Sequence, residues 1–559
     1  MLYNLEAIQD DSSGNKSKCT SSLLLHTPPV PVLEEVCWGK KTNCEDGDRS
    51  IRPFSVNVSK ETMDDLNYRL KNAIIPDPIE NSKQHYGFNG NTLRNVIDYW
   101  LNDYDWERRQ TYLNRFPHFK TRIQGLDIHF IHIKPDIPSN KNIPTYPLLI
   151  CHGWGGSFRE FLEVIPILTT PHKEYGFAFE IVLPSLPGFI FSEATTKPGL
   201  ATPQRIWLRF RNRATIPAGI HLLRSNDETR FGNAANRDDI EEFKRIWLRF
   251  RNRATIPAGI HLLRSNDETR FGNAANRDDI EEFNGTNRFA MILKNLMGRI
   301  GHERFYLHGG DWGSVVVKDL ATLFPDNVLG LHCTLGMSVA KLSWVKYLIG
   351  GVFPRLVVSR EFEDRMYPIR EKLANFLMET GYMHIQATKP DTIGCAIANS
   401  PVGLAAYLLE KFSTLADPQF KHREDAGLLE RYTYEKLIDN LMLYWVTRSI
   451  TSASRIYYEG ITRRQSDLKL AEIPIDPKIP CAVARFPNEC NRPTSRKAAT
   501  LPPDFILRDK FPNLVQSTDF KEGGHFAALE NGLSEVFAQD VFSAVNKMRN
   551  LNDKIKNDK

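Results

Sequence analysis

The stretch of residues 304–314, Arg-Phe-Tyr-Leu-His-Gly-Gly-Asp-Trp-Gly-Ser, constrains the fold of this 559-residue chain more than any other. An apolar run ends in two glycines, the single acid Asp311 follows, and valines and leucines then recur at helical spacing. Gly309 and Gly313 lie two residues before and two residues after the acid, where a sharp turn has no room for side chains. The pattern predicts a strand, a tight turn and a helix, with Asp311 at the turn.

Glycine and aspartate are also common in ordinary turns, so this stretch is not specific by itself. Its interpretation depends on the motifs found in the rest of the chain. The same arrangement is the nucleophile elbow of the α/β-hydrolases, with Asp311 in the place of the more common Ser. Apolar strands at 147–150, 181–183, 479–486 and 514–520 each run into a turn. These repeated units predict an α/β-hydrolase fold, with a mostly parallel, doubly wound sheet whose sites lie at the carboxyl ends of its strands.

Composition excludes several other classes of function. The net charge of +5 is small for this length, and no basic stripe alternates with aromatic residues, so no nucleic-acid partner is predicted. The eight cysteines show no Cys-X-X-Cys spacing, so we expect free thiols and no structural zinc. No motif for a cofactor is found, and no cofactor is expected. No uninterrupted apolar run reaches the roughly 18 residues of a membrane span.

The periodicity divides the chain into segments with different expected roles. Residues 1–50 are rich in Ser, Lys, Asp and Pro, so we expect a largely disordered lead-in. The helical stretch 336–470 interrupts the alternation of strands and helices and is expected to form an inserted lid. The remaining segments are an N-terminal segment at 51–145, a core made of 146–204, 287–335 and 471–549, and a charged tail at 550–559.

A perfect internal repeat interrupts the core. Residues 205–243 recur letter for letter at 245–283, with Lys244 between them. Solenoid repeats drift in sequence and need about three copies to bury a core, so two identical copies indicate a recent duplication or a faulty gene model. Basic and acidic residues nearly balance in each copy, which favours a solvated segment. We define 205–286 as the duplicated insert.

Two further residues join Asp311 in the chain order that an α/β-hydrolase requires, namely nucleophile, acid and histidine. Glu489 follows the strand 479–486, and His525 follows the strand 514–520 in a Gly-Gly-His turn. Each residue alone is typical of a solvated loop, whereas the ordered set predicts a catalytic triad. Three other acids stay open as alternatives to Glu489: Asp504, Asp509 and Glu522.

A carboxylate nucleophile restricts the chemistry. Attack on an acyl carbon would give an unstable anhydride, whereas attack on a saturated carbon gives an alkyl ester, so epoxides and alkyl halides are the expected substrates. His525, oriented by Glu489, would activate the water that cleaves the ester. The glycine-rich turn at 151–157 and the elbow offer the backbone N–H groups of Trp154 and Trp312 to the oxyanion. A phosphate-binding loop is the rival interpretation of that turn, but it lacks the Walker Lys.

Longer motifs carry a resemblance to a known family. The chain resembles the microsomal-type epoxide hydrolases, and among them most closely the juvenile hormone epoxide hydrolases, over about residues 30–204 and 287–545. The motifs are RPF at 52, FPHFKTRIQGLDIHFIH at 116, HGWGGSFREF at 152, PSLPGF at 184, GGDWGS at 309, GYMHIQATKPDT at 381, SPVGLAAYLLEKFS at 400 and GGHFAALE at 523.

The resemblance implies further features of the site and its partners. Two lid tyrosines donate hydrogen bonds to the epoxide oxygen in this family, and by motif they fall on Tyr382 and Tyr457, with Tyr458 as the neighbouring alternative. Residues 50–145 would wrap the core. The implied substrates are water and lipophilic epoxides, including juvenile hormone and xenobiotic alkene or arene oxides. The implied location is the endoplasmic-reticulum membrane, with attachment through the lid or the N-terminal segment.

The sequence departs from the family at four places. Gly155 replaces the Pro that rigidifies the oxyanion loop, and the usual N-terminal anchor helix is not seen. The duplicated insert lies in the turn after a sheet strand, on the catalytic side near the lid, and residues 491–501 lengthen the loop between acid and histidine. Two alternative functions stay open at this point. The first is a haloalkane dehalogenase, which the paired tyrosines disfavour, and the second is a hormone-binding homologue whose catalysis is impaired by the insert.

Overall fold

A computed structural model describes most of the chain. The described residues are 27–45, 47–138, 140–195, 285–366, 369–461, 468–489 and 502–557. The predictions made for residues 1–26, for nearly all of the duplicated insert and for the loop 491–501 therefore lie outside the described residues.

Nine strands of the described part form one sheet in the order β1-β2-β3-β5-β4-β6-β7-β8-β9. Strands β4 to β9 run parallel and are mostly buried, whereas β1, β2 and β3 pair antiparallel at one edge. The predicted mostly parallel sheet is thus confirmed. The strands are β1 Ile51–Phe54, β2 His118–Ile123, β3 Leu126–Ile133, β4 Thr145–Cys151, β5 Ala178–Pro184, β6 Phe305–Gly309, β7 Val328–Cys333, β8 Cys481–Arg485 and β9 Leu514–Asp519.

Helices cover the sheet and form the predicted lid. Outside the lid they are α1 Lys41–Glu45, α2 Lys60–Lys71, α3 Gly90–Asn102, α4 Trp106–Leu113, α5 Ile165–Leu168, α6 Thr286–Arg299 and α7 Asp311–Leu323. Between β7 and β8 lie α8 Lys341–Val352, α9 Ile369–Glu379, α10 Gly381–Thr388, α11 Pro390–Ala398, α12 Pro401–Thr414, α13 Leu428–Arg431, α14 Tyr434–Thr447 and α15 Ile450–Gly460. The last two are α16 Asp504–Leu507 and α17 Ser534–Asn557.

The lead-in is more ordered than its composition predicts. Trp38 is buried, its N–H donates to the carbonyl of Gln124 at 2.8 Å, and its carbonyl accepts from the Thr195 hydroxyl at 2.9 Å. Cys37 and Cys44 form a disulfide with their Cα atoms 5.9 Å apart. The expected disorder is therefore wrong for the described part of 1–50, and the expected free thiols are wrong for this pair. Contacts with residues far along the chain order a segment that has no periodicity of its own.

The charged tail also differs from expectation. Helix α17 continues through Asn557, so a tail beginning at 550 is wrong for the described residues. Charged residues at 553 and 554 are exposed on this helix, which is compatible with helix formation because their side chains reach water.

The helices of the described part include no single helix that is long and apolar enough to cross a bilayer. The bent pair Pro390–Ala398 and Pro401–Thr414, which meets at 118°, passes the test of length and composition only when the two are counted together.

One buried carboxylate joins the N-terminal segment, the core and the lid. Asp439 on α14 is fully buried and accepts hydrogen bonds from the Tyr104 hydroxyl at 2.9 Å and from Arg159 Nε at 2.7 Å. Arg109 binds both oxygens of the same carboxylate. Because a buried charge must be neutralised by partners, these contacts fix the position of α14 against the core.

We expect Asp439→Ala to destabilise the protein by about 3–5 kcal/mol, because it leaves the partly buried Arg109 without its ion-pair partner and the buried Arg159 with Glu163 alone. Asp391→Ala is the control, since Asp391 pairs with Arg455 on the surface and an exposed pair is worth about 0–1 kcal/mol. The measurement is the midpoint of urea unfolding followed by tryptophan fluorescence. Equal shifts in the two variants would contradict a structural role for the buried cluster.

Candidate active site

Asp311 lies at the sharp turn that the sequence predicts. Strand β6 ends at Gly309, helix α7 begins at Asp311, and the aspartate has a φ of +47°. A side chain at Gly309 would place its first carbon 2.5 Å from the Gly313 carbonyl oxygen, and one at Gly313 would come within 2.2 Å of the Cys151 carbonyl oxygen. Only glycine fits at either position, so the turn holds Asp311 in a conformation that non-glycine residues rarely adopt.

The structure brings Asp311, Glu489 and His525 together at the carboxyl ends of β6, β8 and β9. His525 Nδ1 donates to Glu489 Oε1 at 2.5 Å, and His525 Nε2 lies 3.5 Å from Asp311 Oδ2. The three alternatives to Glu489 lie elsewhere. Asp504 binds Arg485 and Ser517, Asp509 binds Ser343 and Lys346, and Glu522 is exposed.

The two carboxylates around His525 favour a charged imidazole in the unreacted site. Burial by itself opposes the charge on His525, but the carboxylates of Glu489 and Asp311 and their hydrogen bonds raise its pKa well above the ordinary value. Any reaction that removes the negative charge of Asp311 would remove part of this support and lower the pKa of His525.

The oxyanion loop, residues 152–157, meets Asp311 directly. The Trp154 N–H donates to Asp311 Oδ1 at 2.7 Å. Gly153 permits this approach, because a side chain there would collide with Asp311 Cβ at 2.3 Å. Trp312, the second predicted oxyanion donor, is the first residue after Asp311 in α7, where N–H groups have no acceptor within the helix.

Hydrogen bonds from buried side chains hold the oxyanion loop. On α14, Asn440 Nδ2 donates to the Gly155 carbonyl and the Tyr444 hydroxyl donates to the Gly156 carbonyl, each at 2.7 Å. His152 accepts from the Leu186 N–H at 3.1 Å, and burial lowers the pKa of this imidazole to about 4, so it stays neutral. Lid and core residues thus supply the rigidity expected from the missing proline.

Gly155 itself adopts a conformation that proline cannot. Its φ is +79°, in the left-handed region, whereas the proline ring requires a φ near −65°. A proline at this position would therefore require a different loop conformation.

Aromatic rings line the space beside Asp311. Trp154 stacks on Tyr382 with centroids 5.4 Å apart, and Tyr457 packs edge-on against Trp154 at 5.6 Å and against Trp312 at 5.0 Å. Tyr457 is buried, and burial together with the charge of Asp311 raises its pKa well above the ordinary value, so its hydroxyl keeps its proton. Tyr458 is only partly buried, so the geometry favours Tyr457 over this neighbour.

Sequence reasoning missed several residues of this site. Tyr407 packs edge-on against Trp154 at 6.0 Å and accepts a hydrogen bond from Gln386 at 3.0 Å, and Lys411 lies 4.6 Å above the ring of Tyr382. The only signal for Tyr407 and Lys411 was their place in the motif at 400. Asn440 and Tyr444 carried no signal, although their spacing of four puts them on one helix face.

A cluster with metal-ligand spacing lies outside this site. His132 Nε2 and His302 Nε2 both contact Glu180 Oε1, at 2.6 and 3.0 Å, and Lys134 approaches the same oxygen at 3.8 Å. Glu180 Oε1 thus already has three protein contacts, and it lies near the amino end of β5, away from the carboxyl ends of the strands where the catalytic candidates lie. None of the catalytic candidates takes part in it.

Comparison with known proteins identifies the family. A juvenile hormone epoxide hydrolase 2 of Ctenocephalides felis is 37% identical over 519 residues, covering 93% of this chain and 90% of that protein. The chain belongs to the epoxide hydrolase family. Epoxide hydrolase 1 of Sus scrofa is 35% identical over 88% of each chain. Residues 51–161 match the model of the epoxide hydrolase N terminus, and residues 146–356 match that of the alpha/beta hydrolase fold.

Solved structures of the family agree with this assignment and confirm the predicted fold class. The juvenile hormone epoxide hydrolase of the silkworm Bombyx mori is 36% identical, with a TM-score of 0.73, covering 92% of this chain and 99% of that one. The Aspergillus niger epoxide hydrolase, at 22% identity and a TM-score of 0.58 over 89% and 97% of the two chains, shares the fold. These relatives favour epoxide hydrolysis over the dehalogenase alternative.

Proposed function

We propose that this chain hydrolyses lipophilic epoxides to vicinal diols through an ester formed on Asp311. The observation that supports this most is the position of the carboxylate. Its Oδ1 accepts the Trp154 N–H, while its Oδ2 faces His525 Nε2. One oxygen is thus already where an ester carbonyl would be stabilised, and the other is placed to act as nucleophile.

In the first step, Asp311 Oδ2 attacks one epoxide carbon as the bond from that carbon to the epoxide oxygen breaks. The electron pair goes to the epoxide oxygen, which takes a proton from Tyr382 or Tyr457. The charged His525 then restores the proton of that tyrosine and is left as the neutral imidazole. Both rings lie in the aromatic cluster beside the nucleophile, and the raised pKa of Tyr457 keeps the hydroxyl protonated until negative charge develops beside it. The product of this step is a hydroxyalkyl ester of Asp311.

In the second step, water attacks Cγ of the Asp311 ester and His525 accepts its proton. Esterification has removed the charge of Asp311 by then, which lowers the pKa of His525 and prepares the imidazole to act as base. The oxyanion forms on Oδ1 beside the Trp154 and Trp312 N–H groups. Its collapse breaks the Cγ–Oδ2 bond, and Oδ2 takes the proton held by His525 and leaves in the diol. The water oxygen becomes the new carboxyl oxygen of Asp311, whose proton returns to His525. Glu489 orients the imidazole of His525 and stabilises the imidazolium whenever it forms.

The substrate class follows from the lining and from the relatives. Four aromatic rings, Trp154, Trp312, Tyr382 and Tyr457, form a mostly apolar surface at the nucleophile. Such a surface favours lipophilic epoxides. The names of the insect relatives make the epoxide of juvenile hormone the first substrate to test, and xenobiotic alkene and arene oxides the second.

We expect His525→Gln to accumulate the Asp311 ester, because alkylation needs no base whereas hydrolysis does. The measurement is a single-turnover acid quench with juvenile hormone or styrene oxide, followed by mass analysis of the peptide that contains Asp311. The control Asp311→Asn should form neither adduct nor diol.

Two results would contradict this proposal. Chloride release from a haloalkane without turnover of either epoxide would favour the dehalogenase. Ligand binding by a folded protein without adduct or diol would favour the impaired homologue, and recovery of activity on deletion of 205–286 would identify the insert as the cause.

We expect Tyr382→Phe and Tyr457→Phe to slow alkylation by about tenfold to a thousandfold each, because a donor to the developing alkoxide is lost. Stopped-flow tryptophan fluorescence of Trp154 and Trp312 would follow this step. Tyr458→Phe is the matched control and should leave the rate unchanged. Unaltered alkylation in both test variants would remove these tyrosines from the mechanism.

We also propose that the lid attaches the protein to a membrane surface, as at the endoplasmic reticulum. The region 337–385 exposes many large apolar side chains, including Trp344 at 57%, Leu348 at 64% and Met378 at 78%. Extended exposed apolar surface is typical of lipid or protein contact. The Cys37–Cys44 disulfide favours an oxidising compartment.

Leu348→Glu should reduce binding to phosphatidylcholine–phosphatidylserine vesicles at least about tenfold, because it places a charge in the apolar surface that would insert into the bilayer. Ile74→Glu is the control for attachment through the N-terminal segment, since Ile74 is 94% exposed on that segment. Co-sedimentation measures both. A loss of binding in the Ile74 variant alone would assign attachment to the N-terminal segment instead.

A further inference from the structure

Glu160 is a buried acid near the catalytic residues that neither step described above uses. It lies on the short 3-10 turn Phe158–Phe161, directly after the oxyanion loop, and is 8% exposed. A methyl group added at Gly156 would lie 2.9 Å from Glu160 Oε2 and 3.6 Å from the ring of Phe526, the residue after His525. The carboxyl group therefore lies between the oxyanion loop and the segment that carries the catalytic histidine.

Among the described residues, none donates a hydrogen bond to the side chain of Glu160 or pairs with it as an ion. Neighbouring acids differ in this respect, because Glu163 binds Arg159 at 2.8 Å and Glu530 accepts the Gly524 N–H at 2.8 Å. A buried carboxyl group without a protein partner is costly unless water forms hydrogen bonds with it. Glu160 is thus equipped to bind a water molecule next to the catalytic histidine.

The charges around Glu160 keep the group neutral near pH 7. Burial raises its pKa to about 8, the imidazolium of His525 opposes this rise, and the negative charges of Asp311 and Glu489 add to it. A neutral acid adds no third negative charge beside these two carboxylates, and its carbonyl oxygen still accepts hydrogen bonds. The other titratable groups within electrostatic range are Glu530, Tyr432 and Tyr444.

We propose that Glu160 is a positioning residue that orients the hydrolytic water for attack on the Asp311 ester. A water that gives one proton to His525 Nε2 has a second O–H group that needs an acceptor, and the carbonyl oxygen of Glu160 supplies it. With both O–H groups held, the lone pair of the water points at Cγ of Asp311. Glu160 itself takes no proton, because the proton of the attacking water goes to His525.

This inference rests on the proposed function, so its test separates the two half-reactions. Glu160→Met removes the acceptor at similar length, and Glu160→Gln keeps a neutral carbonyl acceptor. In single-turnover quench experiments we expect the Glu160→Met variant to lengthen the lifetime of the Asp311 adduct by about 100-fold. A misplaced water slows hydrolysis of the ester by a factor of this order. We expect Gln to stay within about threefold of the unaltered protein, and alkylation to be unchanged in both variants.

Two further variants control this experiment. Glu163→Met changes a nearby acid that binds Arg159 and should leave the adduct lifetime unchanged. Glu160→Asp shortens the acceptor by one carbon and should lengthen the lifetime about tenfold, which tests the inference even where the Met variant does not fold.

The possible results are distinguishable. Equal adduct lifetimes in the Met, Asp and unaltered proteins would overturn the role of Glu160 while leaving the proposed function intact. Equal slowing in the Met and Gln variants, with a shared loss of thermal stability, would also overturn it by indicating a packing role. The absence of any adduct in the unaltered protein would overturn the proposed function, and this inference with it.

Discussion

The site depends on the close approach of the loops that follow β4 and β6, at the carboxyl ends of these strands. Strands β4 and β6 pair in parallel with Cys151 opposite Gly309, so the turn after β6 passes directly over the loop after β4. A side chain at Gly313 would lie 2.2 Å from the Cys151 carbonyl oxygen. This packing holds Asp311 at a positive φ, a conformation that costs about 1–3 kcal/mol in a non-glycine residue, and delivers its carboxylate to the Trp154 N–H.

The lid helix α14 makes the second set of decisive contacts. Asp439 connects it to arginines of the N-terminal segment and the core, while Asn440 and Tyr444 bind the carbonyls of the oxyanion loop. The position of the lid and the geometry of the oxyanion loop are therefore coupled through helix α14. This coupling gives a physical reason why the loop tolerates Gly155, since its carbonyl oxygens are held from outside rather than by a rigid residue within.

Local patterns predicted the elbow, the parallel core strands and the chain order of Asp311, Glu489 and His525, because each depends on nearby residues. The sequence also predicted Glu489 as the acid, but only the tertiary contacts separate it from the alternatives Asp504, Asp509 and Glu522. The order of Trp38 was missed for the same reason, since its partners Gln124 and Thr195 lie more than 80 residues away. Glu160 carried no individual signal either, because its burial beside His525 arises from loops that are remote in sequence.

The sequence by itself determined the type of chemistry. Gly309 and Gly313 permit the tight turn that carries Asp311. A carboxylate nucleophile in turn favours substrates with a saturated electrophilic carbon. The tertiary structure alone decided between Glu489 and its alternatives, between Tyr457 and Tyr458, and which side chains hold the oxyanion loop. The physical reason is that hydrogen bonds and charge interactions act over a few ångströms in space, and only folding brings residues hundreds of positions apart within that range.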